Sequence, residues 1–232
     1  MPEPEAAPEA HAADIAPAEA PAPRKRRRSA TQVQRNEATR LQLLEAAGKV
    51  IGKHGYAGCT IARVTTRTKI AHGTFYLHFA SQQDLFDAVL PTLGGRMLAS
   101  IGRAIHAATD AMELERRGFE ANFAYLSRHP YMYRVLSEAE LFAPAAFHGY
   151  MDRMTRGYVR SLQRSKAATQ LADYSADELE SIATMLIGAR TYLLMRYGIE
   201  SNAVKPLPAA KLDTYLKFVA HGILGDRALH AG

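Results

Sequence analysis

Residues 70 to 79 read IAHGTFYLHF, which sets two histidines, a glycine, a threonine and three aromatic rings on about three helical turns. Paired histidines first suggest a metal site or acid–base catalysis. His72 and His78 are six residues apart, which puts them on opposite sides of a helix. A chelating pair wants a spacing of three or four, and no Cys, Asp or Glu stands between these two. Ser81 and Asp84 follow His78 at a spacing that helix capping already explains, so they do not argue for a catalytic triad. No metal, no cofactor and no catalytic residue is expected here.

The remaining residue types suit a helix with one buried face and one face laid on duplex DNA. Gly73 lets a backbone come close to a phosphate or a base. Thr74 has a hydroxyl for a base edge or phosphate and a methyl for a thymine methyl. Phe75 and Phe79, four apart, share a face that can pack on Ile61 and Val64, while His72 and Tyr76 share another. A tyrosine can keep its ring packed and reach a phosphate with its hydroxyl.

Such a segment needs helices to position it. Leu43, Leu44, Ala47, Val50 and Ile51 recur at helical spacing from Thr39 onward, and Gly55 follows Lys53 and His54 as a stop signal. Thr60 is an N-cap for a short second helix with Ile61, Val64 and Thr65 on one face. A turn around Thr68 to Ile70 leads into the third, and Ser81 caps a fourth through Leu85, Phe86, Val89 and Leu90. A short helix, a tight turn and a second short helix form a helix-turn-helix, whose second helix enters the major groove.

The segment CTIARVTTRTKIAHGTFYLHFASQQDLF, with LLEAAGKVIGKHGY before it, resembles the DNA-binding part of the TetR (tetracycline repressor) family over residues 39 to 90. The resemblance implies that Thr60 touches a phosphate, that His72, Gly73 and Thr74 face bases, and that Tyr76 and His78 touch the backbone. Three positions depart from the family pattern. Lys69 stands where glycine is usual, and a left-handed backbone there costs a side-chain-bearing residue about 1 kcal/mol, although its ammonium adds a phosphate contact. Ala71 replaces the usual serine cap, a loss of about 1 kcal/mol. Gln82 stands where a lysine normally meets the phosphate at the start of the fourth helix.

Composition sets the outer bounds. At 232 residues the chain can bury a core without staples, and its 47% hydrophobic and 22% charged residues are ordinary for a globular protein. One cysteine, Cys59, allows neither an internal disulfide nor a thiolate-rich metal site, which fits a reducing, cytoplasmic setting. No apolar run reaches the roughly 18 residues of a membrane span, and the acidic, proline-broken start is unlike a secretory leader. Residues 1 to 23 carry five acids and no Lys or Arg, while RKRRR at 24 to 28 carries five cations, so the net charge of +6 lies wholly in residues 29 to 232. A basic body suggests a polyanion partner, and simple solubility explains the same charge equally well. Residues 1 to 34 read as a disordered tail whose arginines either lie along DNA or stay solvated.

Beyond residue 92 every periodic segment is helical, so the expected fold is all-α: a tail over 1–34, a three-helix helix-turn-helix DNA-binding domain over 35–90, and a larger helical ligand-binding and dimerisation domain over 91–232. By resemblance, the last two helices, about 175 to 199 and 208 to 225, form a four-helix interface with a second copy. Ile182, Met185, Leu186 and Ala189 offer an apolar stripe for it, although some of that stripe must meet the chain's own core. Phe119, Phe123, Tyr150, Met154, Tyr158 and Met185 suit an adaptable apolar pocket for a small-molecule effector, and they suit a plain core as well. Arg190 interrupts an apolar run and needs a partner: an acidic ligand group, Glu138, Glu140 or a residue of a second copy. Pro91, Gly94 and Gly95 in VLPTLGGRM predict a kink or short break in the helix joining head to body, a joint that would pass pocket expansion to the spacing of the reading heads.

These expectations describe a homodimeric regulator, a repressor released from a palindromic DNA operator by a lipophilic molecule. One alternative is a DNA-binding regulator whose helical body binds a protein partner and senses no small molecule. Another is a helical enzyme or carrier, for which no HExxH, phosphate loop, nucleophile elbow or dinucleotide fingerprint speaks.

Overall fold

The computed structural model describes residues 30–164, 171, 174–200 and 203–223. The expected acidic segment and the arginine run at 24 to 28 lie outside them. Among the described residues the chain forms α1 (Ala30–His54), α2 (Ile61–Thr68), α3 (His72–Phe75), α4 (Gln82–Ile105), α5 (Ala111–Arg128), α6 (Tyr131–Phe142), α7 (Pro144–Arg164), α8 (Ala176–Leu193) and α9 (Ala209–Ile223). The fold is all-α, with an N-terminal helix-turn-helix head and a helical body.

In α1 the stripe Leu43, Leu44, Ala47, Val50 and Ile51 is buried, and Gly55 ends the helix in the left-handed region at φ 74°. The helix starts nine residues before Thr39, so positions 30 to 34 are helical rather than tail. That first part has no apolar face for a sequence pattern to register. Polar side chains support it locally, Gln32 donating to Asn36 at 3.1 Å and the Thr39 hydroxyl to the Arg35 carbonyl at 2.9 Å.

Through Pro91 and both glycines α4 runs without a break. Proline costs about 3 kcal/mol in a helix interior. Val89, Leu90, Leu93 and Met97 are all buried around it, and each such side chain contributes about 1.5–3 kcal/mol. Burial therefore outweighs the local penalty. Gly94 has a packing reason: a Cβ there would lie 2.6 Å from Cε2 of Tyr150 on α7.

The expected helix over 175 to 199 ends earlier. After Leu193 the chain makes one wide helical turn, Leu194–Gly198, then pairs Ile199 with Val204 and Glu200 with Ala203 in a two-residue antiparallel ribbon. Gly198 sits tightly against Leu194 and Phe123, where a Cβ would come within 2.9 and 3.2 Å. Head and body share one core, which continues from Leu43 and Val64 through Leu90 to Phe119 and Tyr215. A smaller cluster of Leu114, Leu162, Leu171 and Leu179 ties α5, α7 and α8 together.

Candidate nucleic-acid interface and the interior of the body

The reading element is built from its caps inward. The Thr60 hydroxyl accepts from the Arg63 amide at 3.3 Å and starts α2. The helix ends at Lys69, whose φ of 57° lies in the left-handed region. A lysine there costs about 1 kcal/mol relative to glycine and leaves its ammonium exposed beside the turn. At Ala71 no side chain caps α3, and its backbone carbonyl alone receives the helix start, accepting from the Thr74 and Phe75 amides at 2.9 and 3.3 Å.

Phe75 is fully buried and Phe79 nearly so, with their rings 5.6 Å apart, and the Arg40 guanidinium lies 4.8 Å above Phe79. This anchor turns the rest of α3 outward. His72 and Gly73 are exposed, Tyr76 is 51% exposed, and the His72 and Tyr76 rings meet at 5.6 Å. Thr74 and His78 are half-buried at the edge of that face. Burial, with the nearby Arg40 charge, holds the pKa of the His78 imidazole below its usual value. Gln82 is the first residue of α4, half-buried behind the Ser81 cap, whose hydroxyl accepts from the Asp84 amide at 3.1 Å. One exposed residue escaped the sequence reading: Leu77 is 82% exposed beside Tyr76. A helical pattern ranks leucine as core, and only its neighbours in space show otherwise.

Inside the body the six expected pocket residues part company. Phe119, Phe123 and Tyr150 are buried, Phe119 and Phe123 stacked with ring centroids 4.7 Å apart. Met154 and Tyr158 are half-buried against the same core. Met185 is 64% exposed and belongs to no interior. Ile182 and Leu186 carry the inward face of α8 instead, and Met185 lies about 100° round the helix from Leu186. The Tyr150 hydroxyl is the one atom among the described buried side-chain N and O atoms without a hydrogen-bond partner.

Arg190 is buried, and neither Glu138 nor Glu140 is its partner. Its Nη2 donates to Glu115 at 2.5 Å and to the Tyr158 hydroxyl at 2.7 Å, and its Nε donates to the Tyr215 hydroxyl at 3.2 Å. Both phenols in turn donate to the Glu115 carboxylate. Burial pushes both phenols above their usual range, so they stay protonated as donors. For Arg190 burial alone acts to lower the pKa; Tyr158, Glu115 and Tyr215 outweigh it, and the guanidinium remains charged. The charge is neutralised inside the chain, so an acidic ligand group could reach Arg190 only by displacing Glu115. Glu138 instead accepts from the Tyr56 amide at 2.9 Å and from Arg134 at 2.5 Å.

Residues 43–89, which hold α2, α3 and the start of α4, match the model of the bacterial regulatory proteins of the tetR family. That segment is a TetR-family DNA-binding region. The chain's relatives are transcriptional regulators rather than enzymes. The chain is 28% identical over 97 residues to the HTH-type transcriptional activator FasR of Mycolicibacterium smegmatis, a match taking in 42% of this chain and 44% of FasR. The chain therefore spans less than half the length of that relative. To the HTH-type transcriptional regulator YhgD of Bacillus subtilis it is 25% identical over 160 residues, 69% of this chain and 83% of YhgD. The fold is also that of the transcriptional regulator FadR of Bacillus subtilis, solved with stearoyl-CoA: TM-score 0.57 at 16% identity, over 81% of this chain and 99% of that one.

The described helices α8 and α9 leave large apolar side chains in the open. Met185, Tyr192 and Phe218 are each more than 60% exposed, with Met195 and Tyr197 beside them. Among the described residues no helix is long and apolar enough to cross a membrane.

Proposed function

We propose that this TetR-family regulator is a homodimer that reads a palindromic operator with α3 and, as a repressor, is released from it by a lipophilic small molecule. The observation that carries the reading is the outward face of α3 and of the turn that follows it: His72, Gly73, Tyr76 and Leu77 exposed above a buried Phe75–Phe79 anchor. Gly73 has no internal steric reason, since a Cβ there would meet nothing within 4 Å, and its φ is not left-handed. A glycine in a four-residue helix that costs about 1 kcal/mol relative to alanine fits a backbone approached from outside. Thr60, Lys69, His78 and Gln82 surround that face and supply phosphate contacts, and Thr74 at its edge faces bases.

Dimerisation through α8 and α9 would cover Met185, Tyr192 and Phe218 and set two α3 helices about 34 Å apart, one turn of duplex. A lipophilic effector is favoured by the aromatic and methionine content of the body around Tyr150, and by the stearoyl-CoA bound to the FadR relative. The test is selection of genomic duplexes by the purified protein at fixed, low salt, since phosphate contacts make affinity steeply salt-dependent. A recovered palindrome whose affinity falls about tenfold with Tyr76→Ala supports the reading. Selection of no sequence at low ionic strength, or a Phe218→Glu variant that stays dimeric, overturns the corresponding part of it.

A further inference from the structure

A cleft of about 500 Å³ opens where the head meets the body, lined by Glu45 and Lys49 of α1, Leu93, Arg96 and Arg103 of α4, and Tyr125, Arg128, His129 and Tyr131 around the α5–α6 turn. Four cations converge there on one carboxylate. That carboxylate is already committed, Glu45 accepting from Arg96 at 2.5 Å. Among the described residues Lys49, Arg103 and Arg128 have no carboxylate within ion-pair distance, and Arg128 only donates Nε to the Ala124 carbonyl of its own helix at 3.0 Å. The wall beside them is aromatic: Tyr125 and His129 lie 4.5 Å apart at 40°, and Tyr131 meets His129 edge-on at 5.9 Å.

Three unpaired cations from three helices facing one concavity repel each other unless an anion sits between them. The His129 ring registers that field: after burial, the charges of Arg128, Lys49 and Arg96 all act to lower its pKa, opposed by Glu45 alone. Guanidinium forks match phosphate oxygens two at a time, and a lysine adds a point charge. Tyrosine and histidine rings at the wall offer a face on which a flat group can stack.

We propose that this cleft binds a diphosphate-bearing anion, its charge held by Lys49, Arg103 and Arg128 and its planar part laid against Tyr125, His129 and Tyr131. Lys49 belongs to α1, the first helix of the head, whereas Arg103 and Arg128 belong to the body. A bound diphosphate therefore bridges the two and biases their relative position. That consequence rests on the regulator reading above, while the binding does not.

Calorimetric titration of the full-length chain without DNA, at low ionic strength, separates the two. Pyrophosphate and ADP are the probes, with inorganic phosphate as a third arm. Saturable binding is expected for both diphosphates, tighter for ADP because of its planar group and weakest for phosphate. Arg103→Gln and Arg128→Gln should each weaken it about tenfold, the worth of a lost charge-assisted contact. These side chains are exposed, so the melting midpoint should stay at that of the parent; Lys49→Gln serves where one of the others fails to fold. Arg116→Gln, on α5 outside the cleft, should leave the affinity unchanged. Absence of saturable binding to either diphosphate overturns the proposal. An equal loss with Arg116→Gln does so too, because it shows diffuse charge attraction. A fall in duplex affinity on Arg103→Gln with no anion present makes the cleft a DNA contact and equally overturns it. Failure to find an operator leaves the ADP result standing.

Discussion

Gly52 of α1 lies so close to Tyr131 of α6 that a Cβ on it would sit 2.4 Å from the tyrosine Cβ and 2.8 Å from its Cα. Backbone, unlike a flexible side-chain tip, cannot move aside without moving its helix. The head is thus held to the body by a contact that only glycine permits. Gly52→Ala should push α1 from α6 and cost about 1–3 kcal/mol, the usual price of overpacking. Gly95→Ala, where a Cβ meets nothing within 4 Å, should instead stabilise by about 0.5–1 kcal/mol through helix propensity. Urea unfolding of the two variants distinguishes them, and equal shifts would show that the close approach carries no energy.

The Arg190–Glu115 pair predicts a non-additive response. Arg190→Met leaves a buried carboxylate facing two phenols and should destabilise by about 3–5 kcal/mol. Adding Glu115→Leu removes the stranded charge, so the double variant should recover part of that loss. A double-mutant cycle on unfolding free energies checks it. Simple addition of the two single losses would mean that the groups do not interact.

Tyr150 offers the opposite sign. Its hydroxyl is buried without a partner, and an unsatisfied buried polar group costs about 1–3 kcal/mol. Tyr150→Phe should raise the melting midpoint of the ligand-free protein, by about 2–4 °C per kcal/mol gained. If an effector accepts from that hydroxyl, the same variant should also blunt the effector's action on DNA. A lower midpoint in calorimetry would reveal a partner for the hydroxyl.

His78 links DNA binding to pH. In the free protein its pKa lies below the usual 6.5 because burial and Arg40 oppose its charge. A DNA phosphate beside it favours the charged form and raises that pKa. The complex then binds more protons than the free protein, so affinity should rise as pH falls below about 6.5. Fluorescence-anisotropy titrations across that range should show a shallower dependence for His78→Gln; identical slopes would remove His78 from the interface.

What the chain states locally was legible in one dimension. Helix caps at Thr60 and Ser81, the buried stripe of α1 and the Phe75–Phe79 anchor follow from side-chain geometry and from spacings of three and four, which involve residues already neighbours along the chain. The exposed face of α3 then follows from its anchored face. Tertiary packing decided the rest. Glu115 and Arg190 are 75 positions apart, and no periodicity reports which carboxylate a distant guanidinium will meet. Met185 and Leu186 fit an apolar stripe equally well, and only the position of α8 against its neighbours turns Leu186 inward and leaves Met185 exposed. Pro91, Gly94 and Gly95 read as a kink or short break by propensity; burial of Leu90 and Leu93, and the Tyr150 ring seated on Gly94, hold α4 continuous, which excludes the break. The physical reason is range: caps and helical stripes arise from interactions within a turn or two, whereas the facing of helices, the pairing of buried charges and the clefts between elements arise from contacts between distant parts of the chain.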